Sequence, residues 1–260
     1  MKIEIKLQAN KVPIFYRNRF YAMIKQAVTL SNKDFSDNFF QDNIPKPFTF
    51  SVNFGKFNLM DEWITLNENV NVKDKVFLPK GLVSVYISSS DHEFLFYLIE
   101  GLKQMKYFEF TNIRSFKVNN ETLIYKIVDI KPINQKPIKS NEVIMRTHSP
   151  ILLENHLKKP ILLNDENVNE HINHNINKMF EFLNFQPNEP LEIKAIEIEK
   201  QVVKHTHSGF LKSSLPYFTY TCSSGLFLIK GDPKDLDIIR NIGLGNRTAQ
   251  GFGMVDIVRA

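Results

Sequence analysis

The stretch that most constrains this chain is its end, Gly243-Leu244-Gly245-Asn246-Arg247-Thr248-Ala249-Gln250-Gly251-Phe252-Gly253-Met254-Val255, with four glycines in eleven residues ahead of an apolar strand. The periodic run Leu236 to Ile242 predicts a helix ending at Gly243, and Phe252 to Val258 predicts a strand. The order is helix, glycine loop, strand. A nucleotide-cradling loop runs strand first and helix second and ends in Lys-Ser/Thr, so that reading is excluded. Gly243, Gly245, Gly251 and Gly253 leave backbone amides unshielded, while Asn246, Arg247, Thr248 and Gln250 add donors suited to a phosphodiester or a base edge. The same residues also suit plain turn chemistry, and residue chemistry alone leaves both readings open.

The chain has 260 residues, 43% of them hydrophobic, with twenty-two phenylalanines and one tryptophan. That is enough to bury a Phe-rich core in one large domain or two modest ones. A lone cysteine, Cys222, makes no internal disulfide, and no leader or membrane span is apparent, so a cytoplasmic protein is expected. The net charge of +5 is concentrated at the front, where residues 1–60 hold nine Lys/Arg against four Asp/Glu. This suits a polyanion partner without requiring one.

Taken in order, the pattern predicts an α+β fold of two tandem ferredoxin-like (RRM-like) domains, residues 1–131 and 141–260, joined by a Pro/Lys-rich linker at 132–140. The first half reads as strand 1–8, helix 16–30, strand 48–54, strand 81–88, helix 93–105 capped by Asp91, and strands 107–117 and 122–130. Residues 31–43 read as a loop around a short Phe-rich turn, and 55–80 as an excursion with a short hairpin near 63–66. The second half reads as short strands at 143–146 and 151–153, helix 168–183, and strand 191–203. Strands 217–221 and 226–229 are expected to pair around Ser223-Ser224-Gly225. Helix 232–242, opened by Asp232-Pro233, then leads into the glycine loop.

The string from Gly243 to Val255 resembles the C-terminal signature of the repeat-associated mysterious proteins, and within them the endoribonucleases that process CRISPR precursor RNA. Val12-Pro13-Ile14-Phe15-Tyr16, Pro45-Lys46-Pro47-Phe48-Thr49-Phe50-Ser51 and Thr147-His148-Ser149-Pro150-Ile151 resemble earlier blocks of that family. The resemblance implies metal-independent cleavage of repeat RNA: a ribose 2′-hydroxyl attacks its own phosphorus, leaving a 2′,3′-cyclic phosphate and a 5′-hydroxyl. It implies no cofactor and no metal. Repeat RNA is the implied partner, with other CRISPR-associated proteins or a fused module beside it, no membrane, and a monomer or homodimer.

Matched position by position, the family's lysine before the second strand falls on Lys46 and a position in the first helix falls on Lys25. Arg17, Tyr21 and Lys25 lie at i, i+4, i+8 on one stripe of that helix, which also reads as a solvated flank. The implied catalytic set is therefore Lys25, Lys46, Tyr21 and Arg17. The family's usual histidine falls near Phe40 or Gln41, and no histidine occurs between Met1 and Asp91. Clustered lysines can orient the 2′-hydroxyl and neutralise a phosphorane. The alternative is a catalytically inactive RNA-binding subunit of a ribonucleoprotein. Lys204, His205, His207 and Lys212 read as a basic hairpin that contacts RNA together with the glycine loop, and His205 and His207 read equally well as solvated surface histidines. His171 and His174 are spaced i, i+3, but with one cysteine in the chain no closed zinc site is expected.

Overall fold

The computed structural model describes residues 1–42, 44–67, 70–110, 116–206 and 217–259. In β1 (Lys2–Gln8), Ile3, Ile5 and Leu7 are fully buried and alternate with half-exposed Glu4 and Lys6, as the period of two requires. After β2 (Val12–Pro13), α1 (Arg17–Ser31) turns Phe20, Met23, Ile24, Ala27 and Val28 onto the sheet. Residues 31–43 contain a helix, α2 (Lys33–Phe39), which corrects the loop reading. Asn32 caps it by accepting the Phe35 amide, and of Phe35 and Phe39, one turn apart, the first packs at a tilt on Tyr97 and the second stacks on Phe94. The polar residues that looked like loop are the outer face of that short helix.

β3 (Phe48–Asn53) is followed by a long hairpin, β4 (Phe57–Asn67) and β5 (Val70–Pro79), rather than a short one near Trp63. The rest of the half is β6 (Val83–Ser89), α3 (His92–Gln104), β7 (Tyr107–Glu109), β8 (Lys117–Val118) and β9 (Ile124–Ile133). Asp91 accepts the Phe94 amide at 2.9 Å, as its N-cap position predicts. The main sheet has the order β3-β6-β1-β9 of a ferredoxin-like domain with β7 added at the edge. The hairpin pairs with β2 and β8 in a second sheet, order β2-β5-β4-β8. β9 runs on through Pro132, which pairs with Ile3, so the front of the expected linker belongs to the sheet.

The second half repeats the order. β10 (Glu142–Thr147), α4 (Val168–Phe182), β11 (Glu192–His205), β12 (Phe218–Lys230), α5 (Pro233–Ile242) and β13 (Val255–Arg259) form a sheet ordered β11-β12-β10-β13. The expected hairpin around Ser223-Ser224-Gly225 is instead one continuous strand, paired with β11 from Lys230 back to Phe218. Gly225 (φ +136) sits where β11 slips register between Ala195 and Glu197, and a Cβ there would lie 1.9 Å from the Glu197 carbonyl oxygen. The glycine marks a bulge, not a turn.

The two halves are bonded to each other directly. The Lys2 ammonium meets Asp256 at 2.9 Å, and the Asn241 side-chain oxygen accepts from the Met1 amine at 2.8 Å and the Ser88 hydroxyl at 3.1 Å. Thr49 Oγ1 donates to the Phe252 carbonyl at 2.9 Å. β3 of the first half thus holds the end of the glycine loop, which carries that loop to the mouth of α1.

Candidate functional site

A groove of about 440 Å³ opens where three segments converge. Tyr21, Phe40, Asp42 and Lys46 form one wall, Asn246 to Gln250 the floor, and Asn175 and Lys178 of α4 the far wall. The lysine-bearing front end and the closing glycine loop therefore face one another, although Lys46 and Asn246 are 200 positions apart in the chain.

Lys46 is set by its neighbours. Pro45 and Pro47 restrict the backbone, and the ring of Phe48 is locked among Phe39, Phe40 and Phe94, with its centroid 4.7 Å from that of Phe94. The Lys46 ammonium donates to the carbonyls of Gln41 and, at 2.6 Å, Ile44. An ammonium has three donors, so one position remains after those two bonds. Burial lowers the Lys46 pKa, the Asp42 carboxylate works against that, and the charge of Lys25 lowers it further. Lys25 is exposed, with its ammonium 5.8 Å from the centre of the Phe40 ring. The Tyr21 phenol is pushed up to about 12, first by burial and then by Asp42. It stays protonated at neutral pH and serves as a donor.

The glycine loop differs from its sequence reading in where its amides go. Those of Gly243, Leu244, Asn246, Gln250, Gly251 and Gly253 donate to the carbonyls of Ile239, Gly253, Leu152, Arg247, Thr248 and Pro150. These six amides build the loop and are not offered to a ligand. The loop's side chains divide in the same way. Asn246 accepts the Glu154 amide at 3.0 Å and Thr248 is buried, whereas Arg247 and Gln250 border the groove and bond to each other at 3.3 Å. Arg247 adopts a left-handed backbone (φ +56) that holds its guanidinium 5.2 Å from the centre of the Tyr220 ring.

Arg17 lies beneath the loop, 6% exposed, with its guanidinium against the Tyr16 and Phe252 rings and its Nε on the Gly251 carbonyl. It supports the loop rather than facing the groove with Tyr21. Lys204 is paired with Asp74 at 2.5 Å and lies over the Tyr217 ring. His205 is 3% exposed and packed against Tyr220 and Phe252, which corrects its reading as a surface residue of a basic hairpin. His207 and Lys212 lie outside the described residues. His148 borders a second cavity with Arg17 and Gly251, and burial, then Lys2 and Arg146 against an opposing Asp256, lowers its pKa.

The sequence reading missed Asn175 and Lys178. Their signal was the i, i+3 spacing on α4 that continues the stripe of His171 and His174, but nothing local says that this stripe faces the glycine loop. Among the described residues no group of three or more His, Cys, Asp or Glu is placed to hold a metal ion, and no helix is long and apolar enough to cross a membrane.

Two ferredoxin-like domains in tandem, with a glycine-rich loop before the last strand facing a lysine-bearing first domain, give the double-domain fold also seen in RAMP proteins. Residues 133–257 match the family described as CRISPR associated protein Cas6, C-terminal. The CRISPR-associated endoribonuclease Cas6 1 of Methanocaldococcus jannaschii is 24% identical over 98% of this chain and 92% of its own length. A solved structure of a Cas6-related gene product from Pyrococcus furiosus superposes with a TM-score of 0.71 at 22% identity, covering 99% of this chain and 98% of that one. Another, described as an RAMP protein binding different RNA substrates, gives a TM-score of 0.71 at 20% identity with both chains fully covered. Residues 133–257 thus match the C-terminal part of Cas6, and the chain is similar to Cas6 proteins along nearly its whole length.

Proposed function

We propose that this protein is a metal-independent endoribonuclease that cuts CRISPR repeat RNA by attack of a ribose 2′-hydroxyl on the adjacent phosphorus. What supports this most is the placement of Lys46 and the Arg247–Gln250 edge of the glycine loop across one groove. The first domain, up to the end of β9 at Ile133, carries the cleaving groups, 134–140 links, and 141–260 grips the strand. In the reaction the 2′-oxygen bonds to phosphorus, the bond from phosphorus to the 5′-oxygen breaks, and a 2′,3′-cyclic phosphate and a 5′-hydroxyl remain.

Lys46 suits two parts of that step. Two of its hydrogens are held by the Gln41 and Ile44 carbonyls, so its remaining position is directed. As an ammonium it donates there to the crowded phosphorane, and as an amine it presents a lone pair that takes the 2′-hydroxyl proton. A pKa lowered by burial makes the amine form more accessible than in a free lysine. Tyr21 donates to a phosphate oxygen, Lys25 and Arg247 add positive charge, and Arg17 fixes the loop from below.

The test is incubation with a repeat RNA in excess EDTA, with the product ends analysed for cyclic phosphate. Cleavage with cyclic-phosphate ends is expected, and Lys46→Ala abolishes it while sparing most of the affinity. Tight binding with no product from the unaltered protein would instead make it an RNA-binding subunit.

A further inference from the structure

Among the described residues the groove contains no imidazole, and none of its described side chains is an evident acid for the departing 5′-oxygen near neutral pH. A second cavity of about 410 Å³ adjoins it, and the two share Asn175, Lys178 and Asn246 in their walls. That second cavity contains three histidines. On α4, His171, His174 and Lys178 follow i, i+3, i+7, so they lie on successive turns of one face, with His174 about 6 Å of helix rise from Lys178. His156 stands opposite, on the turn between Leu153 and Ile161 whose bridge joins Glu154 to Pro160. Asn246 fastens that turn to the glycine loop by accepting the Glu154 amide, so the wall of the histidine cavity and the floor of the lysine groove are one bonded unit.

From this arrangement we infer that His174 is the general acid of the cleavage reaction, supplied by the second domain in place of the histidine missing from the first. The inference rests on the nuclease reading above. His171 is engaged with Asn167 at 3.3 Å, whereas His174 and His156 are both exposed and make no hydrogen bond or ion pair among the described residues; of these two, His174 lies on the helix that carries Asn175 and Lys178 of the groove wall. It also directly precedes Asn175, which borders both cavities. Glu154, His156 and Lys158 face it from the turn, and Glu170, His171 and Lys178 from its own helix.

A strand laid over the glycine loop places a phosphate beside Asn175 and Lys178, between Lys46 on one side and His174 on the other. The 2′-hydroxyl gives its proton to the Lys46 amine as the 2′-oxygen bonds to phosphorus. The bond to the 5′-oxygen breaks, and that oxygen takes the proton of the His174 imidazolium. Lys46 then loses one proton to solvent and His174 gains one, restoring the starting state. Imidazole is the side chain that changes charge between about pH 5 and 8, which is what an acid for this step needs.

The experiment compares two repeat RNAs under single turnover in EDTA: one with the natural 5′-oxygen at the scissile position and one with a 5′-sulfur there, a leaving group that departs without a proton. His174→Ala is expected to cut the oxygen substrate about 10² to 10⁴-fold more slowly than the unaltered protein, to bind it within about threefold, and to cut the sulfur substrate at the unaltered rate. Its rate also loses the fall with rising pH that an acid imposes. If His174→Ala cuts the oxygen substrate undiminished, or is equally slowed on both, His174 is not the acid. If the unaltered protein cuts neither RNA, the nuclease reading itself fails and this inference with it.

Discussion

Arg17 Nε donates to the carbonyl of Gly251 at 3.2 Å, tying the first helix to the last loop across 234 positions of sequence. The guanidinium is also sandwiched, 4.8 Å from the centre of the Tyr16 ring and 5.1 Å from that of Phe252. Arg17→Ala removes a buried charged donor and leaves the loop's carbonyl without it, so a loss of roughly 1.5 to 3 kcal/mol is expected. Urea denaturation reads that loss, and RNA affinity falls with it because the loop is no longer pinned. Arg17→Lys recovers little, since an ammonium cannot stack between two rings as a planar guanidinium does.

Gly251 is fixed by the same contact from the other side. Its φ of +83 is a left-handed conformation, and a Cβ there would lie 2.8 Å from two carbons of the buried Phe50 ring. Gly251→Ala therefore combines backbone strain with overpacking, and a cost of about 2 to 4 kcal/mol is expected. Pairing it with Phe50→Leu removes the clash but not the strain. The double variant should regain part of the loss, and a measured recovery of nothing would mean that the ring is not what resists the new methyl group.

Much of the fold was legible in the sequence because the cues were local. Alternation named β1, the Asp91 and Asp232 caps opened α3 and α5, and strand-helix-strand order gave both ferredoxin-like halves. The failures occurred where a residue type serves two purposes. Gly225 looked like a turn because a bulge and a turn both favour glycine, and the strand partner that decides between them is 28 residues away at Glu197. Arg17 looked like a member of a catalytic stripe because helical spacing gives a face but not what covers it. His205 looked basic and exposed because the aromatic lid of Tyr220 and Phe252 comes from elsewhere in the chain. The Lys46 assignment came from resemblance, and no local pattern could have set it opposite Lys178.

The charge of Lys25 lowers the Lys46 pKa, so removing it should raise that pKa. In Lys25→Ala the amine form of Lys46 is rarer at any given pH, and the rising limb of the cleavage rate against pH moves to higher pH. Lys46→Arg tests the same group differently. Guanidinium keeps the charge but does not give up a proton in this range, so affinity is retained and cleavage falls at least about 100-fold. A Lys46→Arg protein that cuts at full rate would restrict Lys46 to charge neutralisation.

The Lys2–Asp256 pair makes interdomain stability depend on acid. Burial alone would raise the Asp256 carboxyl, but the Lys2 ammonium bonded to it, aided by the Ile257 amide, more than offsets that and holds it below its ordinary value. A carboxyl whose folded pKa is depressed contributes stability fully above its unfolded pKa and loses it as pH falls through the lower folded pKa. The side chain of Asp256 is 28% exposed, which limits the contribution to roughly 1 to 2 kcal/mol near pH 7. Asp256→Asn is expected to lose that amount at pH 7 and to show a flatter decline of stability below about pH 4, because it no longer has a proton to take up. Thermal melts of the two proteins from pH 7 down to pH 3 should therefore converge. If the gap between them stayed constant across that range, the pair would not be the source of the acid sensitivity.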